Sequence, residues 1–342
     1  MTMQLMTPTT NISDFYLLVI DDPVYWLSLA IAGFLLSFIT VIANFILLAT
    51  IYRDPHKSLS TPPCLLIANL SFSDYLVGLC VVSLVAFRDV YRSIDRLVPL
   101  PMAVGIFASY VLCTTLFVSS GTMVALSTSC FVAINNPMKY KTKITRTRIW
   151  IFIVIIWVIS LLMCFLPATN ISENTYLLVY CHTHVSLPAV LLIVIYFQSF
   201  RTLARRTREL NIEVQASVES SRRALERQRN MAVTILIILA MFFVTYIPQF
   251  ILVHIQFFCD SYKFNEESIT FHKIDVVASR FVFLNSAVNP FIYAWRMSTY
   301  RRALRECWKR FTNRFCFCKN SRIQALHSFL NKRSAVVRAN TT

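Results

Sequence analysis

The stretch Asn285-Ser286-Ala287-Val288-Asn289-Pro290-Phe291-Ile292-Tyr293 decides the fold of this chain. It lies in an apolar segment near the end of the chain, where polar side chains are costly unless they find partners. Pro290 removes a backbone donor from an apolar helix, and Asn289 can satisfy the groups that this frees. We therefore expect a polar core shared with earlier apolar segments, which supply Asn44, Asp74 and Ser119.

The composition indicates an integral membrane protein. Hydrophobic residues make up 56% of the 342 residues and charged residues 15%, whereas a soluble domain carries about 25% charged residues. Seven segments are long enough to cross about 30 Å of hydrocarbon, near residues 24–52, 61–87, 100–134, 149–169, 183–207, 229–258 and 273–295. The predicted fold is an all-α membrane protein, a seven-transmembrane helix bundle with an interfacial eighth helix.

The net charge of +16 is unevenly distributed. When the loops are assigned alternately to the two sides, 27 of the 33 Lys and Arg residues fall on one side. The positive-inside rule then predicts a multi-pass protein of the plasma membrane, with its N-terminus outside and its C-terminus cytoplasmic. The basic surface would face the anionic inner leaflet and acidic cytosolic partners. We therefore expect membrane lipid as a partner and no nucleic acid.

The chain is predicted to contain four regions. Residues 1–23 form an extracellular N-terminus and residues 24–295 the transmembrane bundle. Residues 296–311 form an interfacial helix, because Tyr300, Leu304 and Trp308 recur at helical spacing between cations. Residues 312–342 form a cytoplasmic tail.

Asn44, Asp74 and the Asn-Pro-x-x-Tyr sequence that ends at Tyr293 occur one per segment, in an order that resembles the rhodopsin-like (class A) G-protein-coupled receptors. The resemblance covers about residues 24–312. It implies a signalling protein that senses an extracellular small-molecule or peptide ligand and signals to heterotrimeric G proteins or arrestin. It also implies switch residues on several helices: Cys130, Tyr196, Pro248, Asn289, Pro290 and Tyr293.

Other functions were weighed against this one. A signalling-silent relative that traffics, scavenges or dimerises remains open, because an arginine typical of the family is missing from the third segment. A transporter is less favoured, since it would show more intramembrane charge and an internal repeat. An enzyme is not expected, because no motif of paired carboxylates, His-Glu-x-x-His or Gly-x-Ser-x-Gly is present.

Asp74 is predicted to be the only acid deep within a segment, so it must be protonated, paired or bound to a cation. The matching positions in the family form a sodium pocket. The resemblance therefore implies sodium as an allosteric ion and no other cofactor, with a ligand set of Asp74, Ser119, Asn285, Ser286 and Asn289. Oxygen ligands suit a hard cation. The alternative is a water-filled hydrogen-bond network around a neutral carboxyl group.

The resemblance also implies a mostly apolar ligand pocket, as is usual for small ligands. Its residues would be Leu112, Cys113, Leu116, Tyr246, Gln249, Phe250, Val253, Ser279 and Phe283. Monoamine receptors carry an aspartate where this chain has Leu112, and opsins carry a retinal-binding lysine where it has Phe283, so both classes lose support. Arg280 could bind an acidic ligand group, but we favour pairing with Asp275 or contact with the outer headgroups.

Three departures from the family pattern affect these expectations. Ser129-Cys130-Phe131 stands where the family usually carries Asp-Arg-Tyr, which puts ordinary G-protein coupling in doubt. Tyr246 takes the place of the tryptophan in Cys-Trp-x-Pro. Gly105 replaces a cysteine that is normally bridged to the second outer loop, so Cys181 pairs with Cys259 or remains a free thiol.

Two kinds of modification are expected from local sequence and topology. Asn11 and Asn170 begin glycosylation sequons on the predicted outer side. Cys307, Cys316 and Cys318 follow the last segment beside basic residues, which suits reversible palmitoylation. The alternative for these cysteines is a set of reduced cytosolic thiols.

The predicted topology can be tested on cells that express a C-terminally tagged protein. We expect antibody to reach the tag only after permeabilisation. Glycosidase should shift the gel mobility of the wild type but not that of the Asn11→Gln/Asn170→Gln double variant. Antibody binding to intact cells would contradict the orientation derived from the charge distribution.

Overall fold

A computed structural model of the chain describes residues 22–54, 56–94, 101–166, 173–212, 218–258, 269–310 and 312. Within these ranges the regular structure is entirely helical. Several predicted features lie outside the described residues: the N-terminal region before residue 22, Asn11, Asn170, Cys259, Cys316, Cys318 and the tail beyond residue 312.

Eight helices make up the framework. They are α1 (Pro23–Arg53), α2 (Pro62–Ser93), α3 (Met102–Asn135), α4 (Arg146–Cys164), α5 (173–212), α6 (Val218–Phe258), α7 (Ile269–Arg296) and α8 (298–310). A short helix, Pro137–Lys143, lies between α3 and α4. We call the end of the bundle that carries Pro23 and Phe258 the outer end, following the predicted topology.

Helices α1, α2, α3, α5, α6 and α7 form a closed ring, because each packs on the next and α7 returns to α1. Helix α4 lies outside this ring against α2 and α3. Among the described helices, α1 to α6 contain stretches long and apolar enough to cross a membrane. Helix α7 is more polar because it carries Lys273, Asp275 and Arg280. The predicted seven-helix bundle is confirmed, and its seventh helix is held within the ring rather than facing lipid all round.

Burial follows from a lipid surround. Large apolar side chains such as Leu35, Phe38 and Val154 are more than half exposed on the outside of the bundle. Buried positions inside it hold aromatic residues and many polar ones. Because lipid tails solvate apolar side chains as well as a protein core does, helix association depends on packing and on interhelical hydrogen bonds.

The outer end of α1 is fixed by a cap and an ion pair. Asp22 accepts a hydrogen bond from the Tyr25 amide at 3.0 Å, while Pro23 occupies the first turn, where no donor is needed. The Lys273 ammonium group on α7 lies 2.6 Å from the same carboxylate. The hydrogen bond from Lys273, followed by that from the Tyr25 amide, lowers the pKa of Asp22. These contacts hold α1 against α7.

Wide π-helical turns interrupt α2 at Val77–Val82 and α5 at His182–Ser186. In α5 the turn precedes Pro188, which cannot donate to the His184 carbonyl and whose ring would clash with it in a regular helix. In α2 the turn brings Gly78 against α1, where its carbonyl accepts from the Ser37 hydroxyl at 2.9 Å.

Several helix boundaries differ from the sequence prediction; α6, for example, begins at Val218 rather than near residue 229. Two of the differences move residues that matter for the interior. Helix α2 continues beyond residue 87 to Ser93, so Asp89 is buried inside the bundle and Asp74 is not the only deep acid. The helical stretch of α5 begins at Glu173, so Cys181 lies within it rather than in a loop. Its thiol is buried and free.

Candidate functional site

A polar core centred on Asp74 lies in the middle of the bundle. The Asp74 side chain is fully buried. The Asn289 amide of α7 donates to its Oδ2 at 2.9 Å, and the Ser119 hydroxyl of α3 lies 3.4 Å from its Oδ1. Ser286 of α7 also hydrogen-bonds to the carboxyl group. The core therefore links α2, α3 and α7 through a single side chain.

Asn44 completes this core at the proline of α7. Pro290 lacks an amide hydrogen, so the carbonyl four residues earlier, that of Ser286, loses its helical donor. The Asn44 side-chain amide donates to that carbonyl at 3.0 Å and also to the Thr40 carbonyl at 3.0 Å. The sequence expectation that Asn289 would serve the freed backbone is therefore wrong at Ser286: Asn44 serves it from α1, and Asn289 serves Asp74.

Several buried polar atoms of the core have no hydrogen-bond partner of ordinary geometry. Among the described residues they are the Oδ1 atoms of Asn285 and Asn44 and the Tyr293 hydroxyl, while the Asn285 amide interacts with the Tyr246 hydroxyl. A buried polar group left unpaired costs about 1–3 kcal/mol. Among the described residues, no Lys, Arg or His pairs with Asp74. The core thus combines one carboxyl group, spare amide oxygens and no counter-charge.

This combination fits a small hard cation. The Asp74 carboxylate would supply the charge, and the Ser119 hydroxyl and the unpaired Asn285 Oδ1 would supply neutral oxygens. A bound cation would also compensate a carboxylate that otherwise stays neutral at this depth. The five residues predicted for sodium, Asp74, Ser119, Asn285, Ser286 and Asn289, are all buried on three adjacent helices, and sodium binding to them stays a prediction.

An apolar cavity of about 80 Å³ lies between the polar core and the outer end. All the residues predicted for the ligand pocket line it: Leu112, Cys113, Leu116, Tyr246, Gln249, Phe250, Val253, Ser279 and Phe283. Ligand pockets usually enclose about 300–1,000 Å³. A ligand of ordinary size can therefore enter only if the surrounding helices move apart.

Sequence reasoning missed one wall of the cavity. This wall belongs to α5 and α7: Tyr180, Cys181, His184, Val185 and Val282. The apolar run of the fifth segment starts near residue 183, which places Tyr180 and Cys181 in a predicted loop. The position of Pro188 is the sequence signal that could have found His184, four residues before it on the same helix.

Two residues of the cavity lining, His184 and Gln249, each offer a hydrogen-bond acceptor. The His184 Nδ1 atom contacts the Tyr180 carbonyl at 2.5 Å, and because a carbonyl only accepts, the neutral ring leaves its Nε2 atom as an acceptor. The Gln249 amide nitrogen faces an Asp275 carboxylate oxygen at 3.5 Å, and the buried Gln249 Oε1 atom has no partner among the described residues. The Ser279 hydroxyl is already bonded to the Val276 carbonyl at 2.6 Å.

A buried ion pair lies on the outer side of the polar core. Arg280 of α7 makes two contacts with the Asp89 carboxylate of α2, at 3.0 and 3.1 Å. Their side chains are only 13% and 1% exposed, so both charges are largely removed from solvent. The prediction that Arg280 pairs with Asp275 is wrong, because Asp89 lies buried in the longer α2. Two further nitrogens of the guanidinium group, Nε and Nη1, are buried without a partner.

The inner end of the bundle has no arginine at the predicted switch position. Cys130 is buried with a free thiol, and the neighbouring Ser129 hydroxyl interacts with the Tyr140 hydroxyl of the short helix. Two arginines from other helices contact the inner ends instead. Arg206 of α5 donates to the Asn135 carbonyl of α3 at 3.2 Å, and Arg296 of α7 lies 3.5 Å from polar atoms of α6.

The remaining predicted switch residues lie on three helices. Pro248 lies inside α6 and Pro290 inside α7, where both remove a helical donor. Tyr293 is buried, whereas Tyr196 is half-buried and stacks on Phe200 of its own helix. Among the described residues, no ring contact or hydrogen bond joins Tyr196 to Tyr293.

Helix α8 is attached to the inner end of α1. The His56 ring contacts the Glu306 carboxylate at 2.9 Å, and the Cys307 thiol lies 3.8 Å from the Arg53 carbonyl. Tyr300 is buried, while Trp308 is 65% exposed. An exposed tryptophan among cations is typical of a helix in the membrane interface. Cys307 is partly exposed, and its palmitoylation stays a prediction.

Comparison with known proteins agrees with this architecture. A family model described as 7 transmembrane receptor (rhodopsin family) matches residues 43–293, more than half of the chain. The chain is 23% identical over 316 residues to the histamine H2 receptor of Cavia porcellus, covering 83% of this chain and 80% of the relative. It is 26% identical over 296 residues to trace amine-associated receptor 9 of Rattus norvegicus, covering 79% and 83%. It is 24% identical over 291 residues to the [Phe13]-bombesin receptor of Bombina orientalis, covering 77% and 71%.

The outer ion pair should dominate the stability of this end of the bundle. Asp89→Asn leaves the Arg280 guanidinium buried without a counter-charge, which should destabilise the purified protein by about 3–5 kcal/mol. The double variant Asp89→Asn/Arg280→Gln should recover most of that loss. Thermal unfolding in detergent measures both effects. Asp275→Asn serves as the comparison, and an equal or larger loss in that variant would mean that Asp275 is the principal partner of Arg280.

The polar core should respond to sodium. Sodium, compared with an equal concentration of choline, should raise the unfolding temperature of the wild type, because a ligand that binds only the folded state stabilises it. Asp74→Asn should abolish the difference by removing the charged ligand. Asp275→Asn, which removes another buried carboxylate outside the core, should keep it. Equal sodium responses in Asp74→Asn and wild type would refute the site.

Proposed function

Because the chain belongs to the rhodopsin family of seven-transmembrane receptors, we propose that it is a plasma-membrane receptor that couples an extracellular ligand to a heterotrimeric G protein or arrestin. Proteins of this family are receptors and not enzymes. The N-terminus would lie outside and the basic inner surface would face the cytosol. The observation that carries the proposal is the polar core beneath the cavity, whose buried atoms are only partly paired.

Partial pairing favours a bundle with two arrangements. Asn285, Asn44 and Tyr293 each keep a buried polar atom without a partner. A second arrangement that pairs some of these atoms would recover part of the 1–3 kcal/mol that each of them costs, by order of magnitude. A ligand that binds one arrangement better shifts the population towards it. The core contacts α1, α2, α3 and α7, and each of these helices runs from one end of the bundle to the other. A rearrangement of the core would therefore shift helices at both ends.

Sodium would act on the same equilibrium from below the cavity. An ion held by Asp74 and its neighbours would favour the arrangement in which those oxygens converge. By linkage, an extracellular ligand that favours the other arrangement would weaken sodium binding by the same factor. The alternative role for the core is a water-filled network around a protonated Asp74.

The chemistry of the cavity narrows the ligand class. Relatives named for histamine and trace amines match this chain, but Leu112 stands where the family's amine receptors carry an aspartate. The cavity is mostly apolar, and among its polar atoms the Gln249 Oε1 and the His184 Nε2 accept hydrogen bonds. We infer a small, largely apolar ligand, or the apolar end of a peptide, that donates hydrogen bonds.

A second candidate function is a receptor relative that does not signal. Cys130 supports this alternative, because a buried thiol offers neither the charge nor the directed donors that an arginine would provide at the inner end of α3. The first function is favoured by Arg206, which supplies a guanidinium group next to α3 from the neighbouring helix. The two candidates differ in whether the inner end can engage a G protein.

The test compares Cys130→Arg with wild type at matched surface expression. We expect Cys130→Arg to raise basal or ligand-driven recruitment of G protein, because it restores a charged multi-donor group at the inner mouth. Energy-transfer assays with a panel of G proteins and arrestins would measure it. Arg206→Ala is the companion variant, since its effect shows whether α5 carries the contact in the wild type.

Each outcome bears on the proposal. Recruitment by the wild type that falls in Arg206→Ala supports a signalling receptor in which α5 supplies the contact. Recruitment that appears only in Cys130→Arg supports a chain that is silent in its natural form. The proposed signalling function is overturned if wild type, Cys130→Arg and Arg206→Ala all reach the cell surface and none of them recruits a G protein or arrestin.

A further inference from the structure

Two histidines face each other between the outer ends of α5 and α6. The Nε2 atoms of His182 on α5 and His254 on α6 are 3.4 Å apart. Their ring centroids are 5.0 Å apart, and the planes cross at 82°. His182 is exposed and His254 is half-buried. The pair therefore lies at a surface that a solute can reach, outside both the polar core and the cavity.

The hydrogen bonds on the far side of each ring direct the lone pairs toward this gap. The His254 Nδ1 atom lies 2.7 Å from the Phe250 carbonyl, which can only accept, so this nitrogen carries the hydrogen. In the neutral ring the Nε2 atom is then an unprotonated acceptor. The His182 Nδ1 atom lies 3.0 Å from the Ser186 hydroxyl, which can accept in the same way. With both Nδ1 atoms donating, both Nε2 atoms are unprotonated acceptors, and they lie 3.4 Å apart.

Two unprotonated nitrogens at this distance repel unless they share a proton or a cation. Two nitrogen ligands on a tetrahedral zinc ion, each at about 2.0–2.1 Å, are about 3.3–3.4 Å apart. The observed separation of 3.4 Å matches that edge. Histidine ligands usually donate the other ring N–H to a carbonyl, a carboxylate or water, which fixes the tautomer and raises ligand basicity. His254 already has this arrangement through the Phe250 carbonyl.

We propose that His182 and His254 form a binding site for Zn²⁺ or a similar transition-metal ion that bridges α5 and α6. No group of three His, Cys, Asp or Glu residues suited to a metal occurs among the described residues. Water or a donor atom of another ligand would therefore complete the coordination. Such a site exchanges its ion with the outer solution, in contrast to a closed structural site with four protein ligands.

The site would act on the cavity through one aromatic ring. Phe250 lines the cavity. Its ring lies 4.0 Å from that of His254 and 6.0 Å from that of His182, measured between centroids. A bound ion would fix α5 and α6 at the distance seen here, which keeps this wall of the cavity closed. An ion that favours the closed wall and a ligand that needs an open one must weaken each other's binding.

Zinc binding can be measured on the purified full-length protein without any knowledge of its ligand or signalling. Zinc chloride should raise the unfolding temperature of the wild type, EDTA should reverse the rise, and magnesium or calcium should not reproduce it. In His182→Asn and His254→Asn the amide nitrogen can keep the hydrogen bond made by Nδ1, but the Nε2 ligand is lost. Each variant should need at least about tenfold more zinc for the same stabilisation, the lower end of the loss seen when even the supporting contacts of a metal ligand are removed.

Controls separate the site from general histidine chemistry. His56→Asn removes a histidine at the inner end and should leave the zinc response unchanged. Cobalt provides a second readout, because a nitrogen-bound Co²⁺ absorbs visible light, and that absorption should disappear in both single asparagine variants.

The proposal is overturned if the wild type shows no zinc response. It is also overturned if either asparagine variant, folded in the absence of metal, responds at the same zinc concentration as wild type. Loss of the response in His56→Asn would place the ion elsewhere and would equally contradict it. None of these outcomes depends on G-protein recruitment, so the zinc site and the proposed function fail or stand separately.

Discussion

The missing amide hydrogen of Pro290 is the constraint on which the rest of the bundle depends. In a hydrocarbon surround no water replaces the lost hydrogen bond, so the freed Ser286 carbonyl needs a donor from another helix. Asn44 provides it, and so fixes the height of α1 against α7. With that carbonyl satisfied, the neighbouring Asn289 can turn its amide to Asp74 and join α7 to α2. A different solution serves Pro188, where α5 widens into a π-helical turn instead of recruiting a partner.

Buried charge is treated differently at the two levels of the bundle. At the outer level, Arg280 and Asp89 neutralise each other through two contacts between α7 and α2. At the middle level, Asp74 receives only neutral donors from Asn289, Ser119 and Ser286. The outer pair is therefore complete in itself and serves stability, whereas Asp74 needs a proton or a cation to balance it. An adjustable charge balance suits the proposed change of state, and this is the physical reason for placing the proposed switch at the middle level.

The sequence predicted the helices and the interior well where long apolar runs and fixed spacing from Pro248 and Pro290 define position. The residues expected around the cavity line it for this reason, since each is placed by its distance from a proline on the same helix or by its place in α3. Prediction failed at the outer ends. Hydropathy predicts that α2 ends before Asp89, because a charged residue lowers the hydropathy of the segment. The partner that allows Asp89 to be buried, Arg280, lies almost two hundred positions later in the sequence, where a local pattern cannot detect it. The contact between His182 and His254 is also a tertiary contact between distant parts of the sequence. No pattern in the sequence around either residue predicts it.

The contacts of α6 indicate how the bundle can respond to events in the cavity. At its outer end, α6 meets α5 through His254 and His182 and supports the cavity wall through Phe250. At its inner end, Arg296 reaches Thr234 and Asn230 only at 3.5 Å, which is longer than the usual 2.7–3.2 Å of a hydrogen bond. Cys130 on α3 adds no ion pair there, because a thiol buried in an apolar setting carries no charge.

Between the two ends of α6 lies Pro248, which removes one helical hydrogen bond and lets the helix bend. In the proposed function, α6 would bend at Pro248 and its inner end would move away from α3 and α7, because the described contacts of Arg296 at that end are long. That displacement would open the inner face of the bundle, where the arginines of α5 and α7 are already in place.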